Sequence, residues 1–354
     1  MTLLDRYLGR TVVGASLLVL LVLTALWGFV TFIEQLHRIG HGSYGVLDAL
    51  QYALLTLPDN ALDLFPTAAL MGALLGLGGL ASTNELMVIR TAGVSALRIA
   101  ASALVGGVVL AVAVALIGEY IAPPAKSYAE QARGAALYGR VGSGGEGGIW
   151  ARDGDLYINV REMADQKLIR GIYIYRFDGL QLTRATHADV ARFENGHWQL
   201  HNLQTTTLSG QTEARSTRAA SAEWKTLLDP DLLSLFVVDP DNLSAGGLLR
   251  YIDYLHHNNL SAKRYETAFW HKVARPVTVL AMVLLAMPFV FGPLRSAATG
   301  QRLLVGILTG VAFYLFNTMT AQLGEVFGAP PLAAAWLPTV VLAAVSLFAV
   351  SRLR

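Results

Sequence analysis

The sequence predicts a helical membrane protein: six transmembrane helices, three on either side of an inserted extracytoplasmic antiparallel β domain. Three observations carry that reading. Charge-free apolar stretches long enough to cross a bilayer occur six times. They fall into two groups of three, and the material between the groups is charged and rich in strand-favouring residues. Of the 354 residues, 54% are hydrophobic and only 15% charged, whereas an average soluble domain carries about 25% charged residues.

Taken in order, the first span is Thr11–Ile33, 23 uncharged residues behind MTLLDRYLGR. That run is too long for a cleaved signal peptide and lacks a small-x-small exit, so it is read as retained. The second charge-free stretch is Leu64–Asn84, and its helix is expected to begin earlier, near Leu50, with Asp59 and Asp63 at a water interface. The glycines of GALLGLGGLAS (72–82) suit close helix packing. The third stretch is Ile99–Gly118.

Between spans two and three lies an unusual loop, Thr83–Ser95. Ser82-x-x-Glu85 fits a capping box at a helix start. Gly93 suits the helix end, where a left-handed residue closes the last turn. Leu86, Met87, Val88 and Ile89 surround most of the circumference of the helix between them. Two readings stay open: a re-entry helix held by its own bundle, or a coupling helix (about 82–95) whose apolar patch docks into a partner groove. Glu85 and Arg90 are five apart, too far for a good pair along one helix.

The middle segment holds LYINV (156–160), GIYIYRF (171–177) and ADVARFENGHWQLHNLQTTTL (188–208), the last with Asn195-Gly196 at a tight-hairpin position. These predict an antiparallel β domain over about 135–240, with the Gly-rich 139–150 as an entry loop or early turn. Residues 239–276 read as one or two amphipathic helices leading into span four. Pro276–Leu294, Leu303–Gly324 and Val326–Ser351 supply spans four to six. The chain therefore divides into 1–125, 126–264 and 265–354.

Orientation follows from the lysine and arginine bias. Arg6, Arg10, Arg90, Arg98, Arg295, Arg302, Arg352 and Arg354 lie near span ends on one side, whereas the short loops opposite hold Arg38 alone. The termini and the Thr83–Ser95 loop are thus expected in the cytoplasm and the β domain outside. A net charge of +2 without a basic cluster gives no argument for nucleic acid. The sequence has no cysteine, which excludes disulfides, thiolate metal sites and cysteine nucleophiles.

No phosphate-loop motif occurs, and the spans are not expected to hold a buried chain of ionisable residues for proton coupling. His256 and His257 are neighbours, which on a helix point about 100° apart and so do not suit joint metal ligation. His271 lacks an evident carboxylate or serine partner. No catalytic residue, metal or cofactor is assigned, and any uphill work must draw energy from another polypeptide. A permease for an envelope lipid or lipoprotein, and a non-transporting membrane scaffold with a recruiting β domain, both fit the residues.

The string LGLGGLASTNELMVIRTAGVS (75–95) followed by IGEYIAPPA (117–125) closely resembles the LptF/LptG permeases of the lipopolysaccharide transport system. LDRYLGR (4–10), EQLHRIGHGSY (34–44), LYGR (137–140) and FVFGPLRS (289–296) place the resemblance on the LptG side of that family, over the whole chain. It implies an ABC transporter in which LptF and LptG pair above two LptB ATPases. Lipopolysaccharide is extracted from the inner membrane and passed through β-jellyroll-like domains towards LptC and LptA. By the same resemblance, Glu85 matches the acidic residue of the coupling helix, with Leu86, Ile89, Arg90 and Gly93 around it. Basic residues near the outer end of span one are expected to meet the phosphates of the substrate. Here that stretch offers Thr31, His37 and Arg38 where relatives tend to carry several lysines. Arg38 has the strongest case, because arginine binds phosphate bidentately. Arg133 is the second basic candidate, and Glu34 is placed to pair with Arg38 one turn along. Closure of the ATPases would push the coupling helices together and collapse an apolar cavity holding the acyl chains.

Overall fold

The computed structural model describes residues 3–138, 148–165, 167–179, 181–194, 196–209, 213–224, 226, 228, 230–235, 240–292 and 298–352. Among the described residues, six helices are long and apolar enough to cross a membrane. The first three begin with α1 (Leu3–Leu36) and α2 (Val46–Ser82); a short α3 (Glu85–Thr91) leads to α4 (Ala96–Leu116). One π-helical turn, Ile117–Ile121, carries α4 into α5 (Ala122–Tyr138). Strands β1 (Ile149–Asp153), β2 (Leu156–Asp165), β3 (Leu168–Asp178), β4 (Gln181–Glu194), β5 (His197–Ser209) and β6 (Glu213–Trp224) follow. Then come α6 (Pro230–Leu235), α7 (Ala245–His257), α8 (Lys263–Phe291), α9 (Thr299–Phe327) and α10 (Pro331–Ser351). Three apolar helices, a β insert and three further apolar helices follow one another in the expected order, although α2 starts four residues before the Leu50 near which it was expected.

The chain forms two compact units. The helical unit holds most of α1 and α2, with α3, α4 and α8–α10. Its core joins Leu8 and Val12 of α1 to Leu70, Leu74 and Leu77 of α2, Ile99 and Leu110 of α4, and Val279 and Met282 of α8. Small residues set the closest approaches: a Cβ on Gly72 would sit 2.3 Å from the Cα of Ser16, and one on Gly106 would sit 2.6 Å from the carbonyl oxygen of Gly9. Two hydroxyl contacts join α8 to α10 inside this unit. The hydroxyls of Thr278 and Thr339 lie 2.7 Å apart, and Ser346 donates to the carbonyl of Ala281 (3.1 Å). Large apolar side chains of α1, α9 and α10, among them Leu18, Leu21, Leu304, Leu308 and Phe348, point outward, as spanning helices do in lipid.

At the start of α1, ahead of the charge-free run Thr11–Ile33, one carboxylate is buried. Asp5 is only 6% exposed. Its carboxylate accepts from the Arg98 guanidinium (2.9 Å) and the Ser102 hydroxyl (2.7 Å), so the charge is held by partners on α4. Asp59 and Asp63 are likewise paired, with Lys126 (3.3 Å) and Arg275 (3.1 Å).

The second unit contains the 36–52 segment, most of α5, the strands, α6 and α7. Its sheet is antiparallel in the order β1-β2-β3-β4-β5-β6, so each strand pairs with its sequence neighbour. Alternation puts Ile158, Val160, Ile172, Ile174 and Ala188 among its buried residues. Glu194 pairs with His197 across the expected hairpin, and Gly196 has φ +87°; Asn195 itself lies outside the described residues. Residues 139–147, most of the Gly-rich stretch, lie outside them too. Tyr254 of α7 ties the first strand down: its hydroxyl accepts from the Arg152 amide (2.9 Å) and donates to the Arg152 carbonyl (2.5 Å). Burial pushes that phenol's pKa up.

Candidate functional site

Helix α3 is built differently at its two ends. The capping box expected of Ser82 and Glu85 does not form. Ser82 is still the last residue of α2, and its hydroxyl donates to the Gly79 carbonyl (2.7 Å). A capping serine must have left the helical conformation, and this one has not. The break falls instead at Asn84, which has φ +65° and makes no side-chain cap. The other end matches expectation. Gly93 has φ +93°, its amide donates to the Arg90 carbonyl (3.0 Å), and Val94 donates to the Ile89 carbonyl (3.3 Å). That pair of bonds is a Schellman motif.

The four apolar side chains of α3 divide between the core and the surface. Leu86 is 2% exposed and belongs to the core of the helical unit, with Ile89 partly buried against it. Val88 is 65% exposed and points away. Arg90 is exposed, with its guanidinium 5.6 Å over the Phe291 ring. Glu85 is held by two hydroxyls, Tyr7 of α1 at 2.6 Å and Thr83 at 3.0 Å. The Tyr7 bond, and then the Thr83 bond, keep its carboxyl below the usual glutamate range. The outward face of α3 is therefore Glu85, Val88 and Arg90, anchored by Leu86 and Ile89.

The second candidate region lies in the other unit, where the 36–52 segment meets the last turns of α5. Ser43 donates to the Ala136 carbonyl through its amide (2.8 Å) and its hydroxyl (3.1 Å). Gly42, at φ +59°, must be glycine on two counts, because a Cβ would also stand 2.5 Å from that carbonyl oxygen. Asp48 accepts from the Gly45 amide (2.8 Å), closing the first turn of α2. Tyr44 is buried here, and burial raises its pKa; the charges acting on it are those of Arg133, Asp48, Arg38 and Glu130. Arg38 and Arg133 are thus brought to one place, 95 positions apart in the sequence. They differ in company. Arg38 is exposed, as is His37. Arg133 makes a short ion pair with Glu130, one turn earlier on α5, and lies 4.4 Å over the Tyr52 ring. The Tyr52 hydroxyl donates to the other oxygen of Glu130 (2.9 Å). Glu34 lies in the last turn of α1 and is exposed.

A family model for the lipopolysaccharide export system permease LptF/LptG matches residues 6–352. The chain belongs to this family. The lipopolysaccharide export system permease protein LptG of Escherichia coli strain K12 is 36% identical over 352 residues, 99% of this chain and 98% of that protein. The protein of the same name from Haemophilus influenzae is 35% identical over 354 residues, 99% of each. With six apolar helices and multi-pass membership in this family, the chain is an inner-membrane permease component. Three residues around its candidate sites escaped sequence reasoning: Tyr7, Tyr52 and Glu130. Each pairs with a residue that had been singled out or with that residue's partner. Only Glu130, at i,i+3 from Arg133, left a signal that spacing could have caught.

Proposed function

We propose that the chain is the LptG-position permease of an ABC transporter, paired with LptF and driven by an LptB ATPase dimer. It extracts lipopolysaccharide from the inner membrane and hands it to LptC and LptA, a periplasmic bridge towards the outer membrane. The carrying observation is the family match over residues 6–352. In this reading both termini and α3 are cytoplasmic and the β domain is periplasmic, in keeping with the arginines near span ends on the α3 side. Glu85, Val88 and Arg90 meet the ATPase, while Leu86, Ile89 and Gly93 fix the shape and seat of the helix. Arg38, assisted by His37 and Arg133, captures the anionic head. Acyl chains occupy an apolar cavity between the two permeases. ATP-driven closure moves the coupling helices together, and the collapsed cavity binds the lipid less well, which is the differential affinity such a switch requires.

The test is affinity purification of the full-length chain from detergent-solubilised membranes. An ATPase subunit and a second six-span permease should co-purify in stoichiometric amounts. Recovery of the chain without either refutes the reading and leaves the scaffold alternative standing.

A further inference from the structure

The sheet of the second unit has two faces of different chemistry. One is aliphatic, with Ile158, Val160, Ile172 and Ile174 buried on it. On the other, the strand register carries a row across all six strands: Trp150, Asn159, Tyr173, His187, Gln204 and Arg218. A plain solvated face is rich in lysine and glutamate, and this row holds neither. Its rings are accessible yet already ordered. Trp150 is 56% exposed and stacks on Tyr175 (centroids 6.0 Å apart, planes at 20°), which stacks in turn on Tyr173 (6.4 Å, 9°). The His187 ring lies 4.5 Å from that of Tyr173. Arg152 and Arg161 flank the row on either side, their guanidiniums 5.3 Å over the Tyr157 and Tyr173 rings. Among the described residues neither arginine has a carboxylate partner, whereas His187 has Asp189 at 3.9 Å.

We propose that this face binds the sugar rings of the transported glycolipid, an oligosaccharide bearing anionic groups. The inference rests on the reading that the substrate is a lipopolysaccharide. A sugar ring presents apolar C–H patches, which pack on aromatic side chains, and hydroxyls, which need donors and acceptors. The row supplies both. Trp150 and Tyr173 give the rings, and His187 and Gln204 give hydrogen-bonding groups beside them. The Gln204 amide donates to Ser216 through Nε2 (3.3 Å) and keeps its oxygen for a sugar hydroxyl. Arg152 and Arg161, without a carboxylate to displace, receive phosphate or carboxylate groups on the sugars as charge-assisted hydrogen bonds. Because the rings are stacked before any ligand arrives, little rotamer freedom is lost on binding. A protein is the competing occupant, since Trp, Tyr and Arg also dominate protein interfaces. The apolar centre of such an interface would leave the imidazole and amide in the middle of the row unsatisfied, a loss that sugar hydroxyls avoid.

The experiment uses the full-length chain, purified with whatever subunits accompany it, in nanodiscs. Two probes are titrated: fully deacylated lipopolysaccharide, which is the phosphorylated oligosaccharide alone, and lipid A, which has the acyl chains without the outer sugars. Wild type should bind the oligosaccharide, with ring-current shifts of its sugar protons in the NMR spectrum. Trp150→Ala should remove those shifts and weaken binding roughly three- to tenfold, while lipid A binding stays at the wild-type value and shows that the fold is kept. Trp150→Phe, which restores a ring, should recover most of the affinity. Arg152→Gln with Arg161→Gln should weaken the phosphorylated oligosaccharide more than its dephosphorylated form. If wild type binds lipid A but not the oligosaccharide, or if Trp150→Ala leaves oligosaccharide binding unchanged, the sugar face is refuted and the transport reading stands. If wild type binds neither probe, both readings fall. If Trp150→Ala keeps oligosaccharide binding and loses a co-purifying protein, the face is a protein interface and the proposal is overturned.

Discussion

The two faces of α3 can be separated by two substitutions. Leu86 is 2% exposed and packed in the core of the helical unit, whereas Val88 on the next turn face is 65% exposed. Leu86→Ala removes a buried isobutyl group, and large-to-small changes of that kind cost about 2–4 kcal/mol, transfer and cavity together. Because α3 is a seven-residue helix held mainly by that anchor, the loss should appear as local opening rather than as unfolding of the spans. At 1.4 kcal/mol per factor of ten, the amides of α3 should exchange with solvent roughly 30- to 700-fold faster. Val88→Asp should leave exchange nearly unchanged, since exposed substitutions stay within about 0.5 kcal/mol. It should instead lower recovery of the ATPase, by placing a charge where an apolar contact is expected. Hydrogen–deuterium exchange of the nanodisc-embedded protein, together with ATPase co-purification, reads both. Unchanged α3 exchange in Leu86→Ala would falsify the anchor assignment. Full ATPase recovery with Val88→Asp would move the docking surface elsewhere.

Further outcomes follow from the same geometry. Tyr7→Phe should let the Glu85 pKa rise towards its ordinary value of 4.5, because the hydroxyl that holds the carboxylate is gone; carbon-13 resonances of labelled Glu85 across a pH titration report it. The sign is that of a depressed carboxylate: the contribution of the Tyr7–Glu85 bond is complete above the unfolded value and is lost as pH falls from there through the lowered folded value. Exchange of α3 in the wild type should therefore rise only in that acidic window, and a rise at neutral pH would contradict it. Gly93→Ala meets no neighbour within 4 Å, so its cost is backbone strain at φ +93°, about 1–2 kcal/mol, seen as faster exchange at the end of α3. Gly72→Val should abolish stable accumulation in the membrane, since even a Cβ would lie 2.3 Å from Ser16; normal levels of that variant would show that α1 and α2 can separate freely.

The spans were legible in the sequence because a bilayer leaves no alternative to long apolar helices. The hairpin of β4 and β5 was legible through its alternation and its Gly196 turn. Strand β6 was not. Glu213–Trp224 reads EARSTRAASAEW, polar and poor in β-branched residues, and its side chains are almost all exposed. It is a strand because its backbone pairs with β5 from Trp198–Trp224 to Ser209–Glu213, and a backbone pairing leaves little trace in side-chain pattern. The two ends of α3 make the same point on a smaller scale. Gly93 announces itself, because a left-handed residue favours glycine. Ser82 misleads, because a serine that caps and a serine that ends the preceding helix are the same letter.

The partners of the candidate residues were illegible for a different reason. Glu85 meets Tyr7, and Glu130 meets Tyr52, each across 78 positions of sequence. Neither tyrosine has a periodicity that points at its acid; only the packed helices bring them together. Both contacts place a phenol hydroxyl on a carboxylate that stands beside a proposed partner site. An external partner of Glu85 must compete with a hydrogen bond already made, so its net gain is the difference between the two interactions rather than the full strength of the new one. For a transporter that difference matters more than raw affinity. A subunit that must bind and release in each cycle works with contacts that are exchanged, and an acid that regains an internal hydrogen bond is not left unsatisfied when the external partner leaves. Removing the hydroxyl while keeping the ring, with Tyr7→Phe, should therefore tighten the external contact of Glu85 and slow its release. A looser external contact in that variant would mean that the tyrosine orients the acid for binding instead of competing for it.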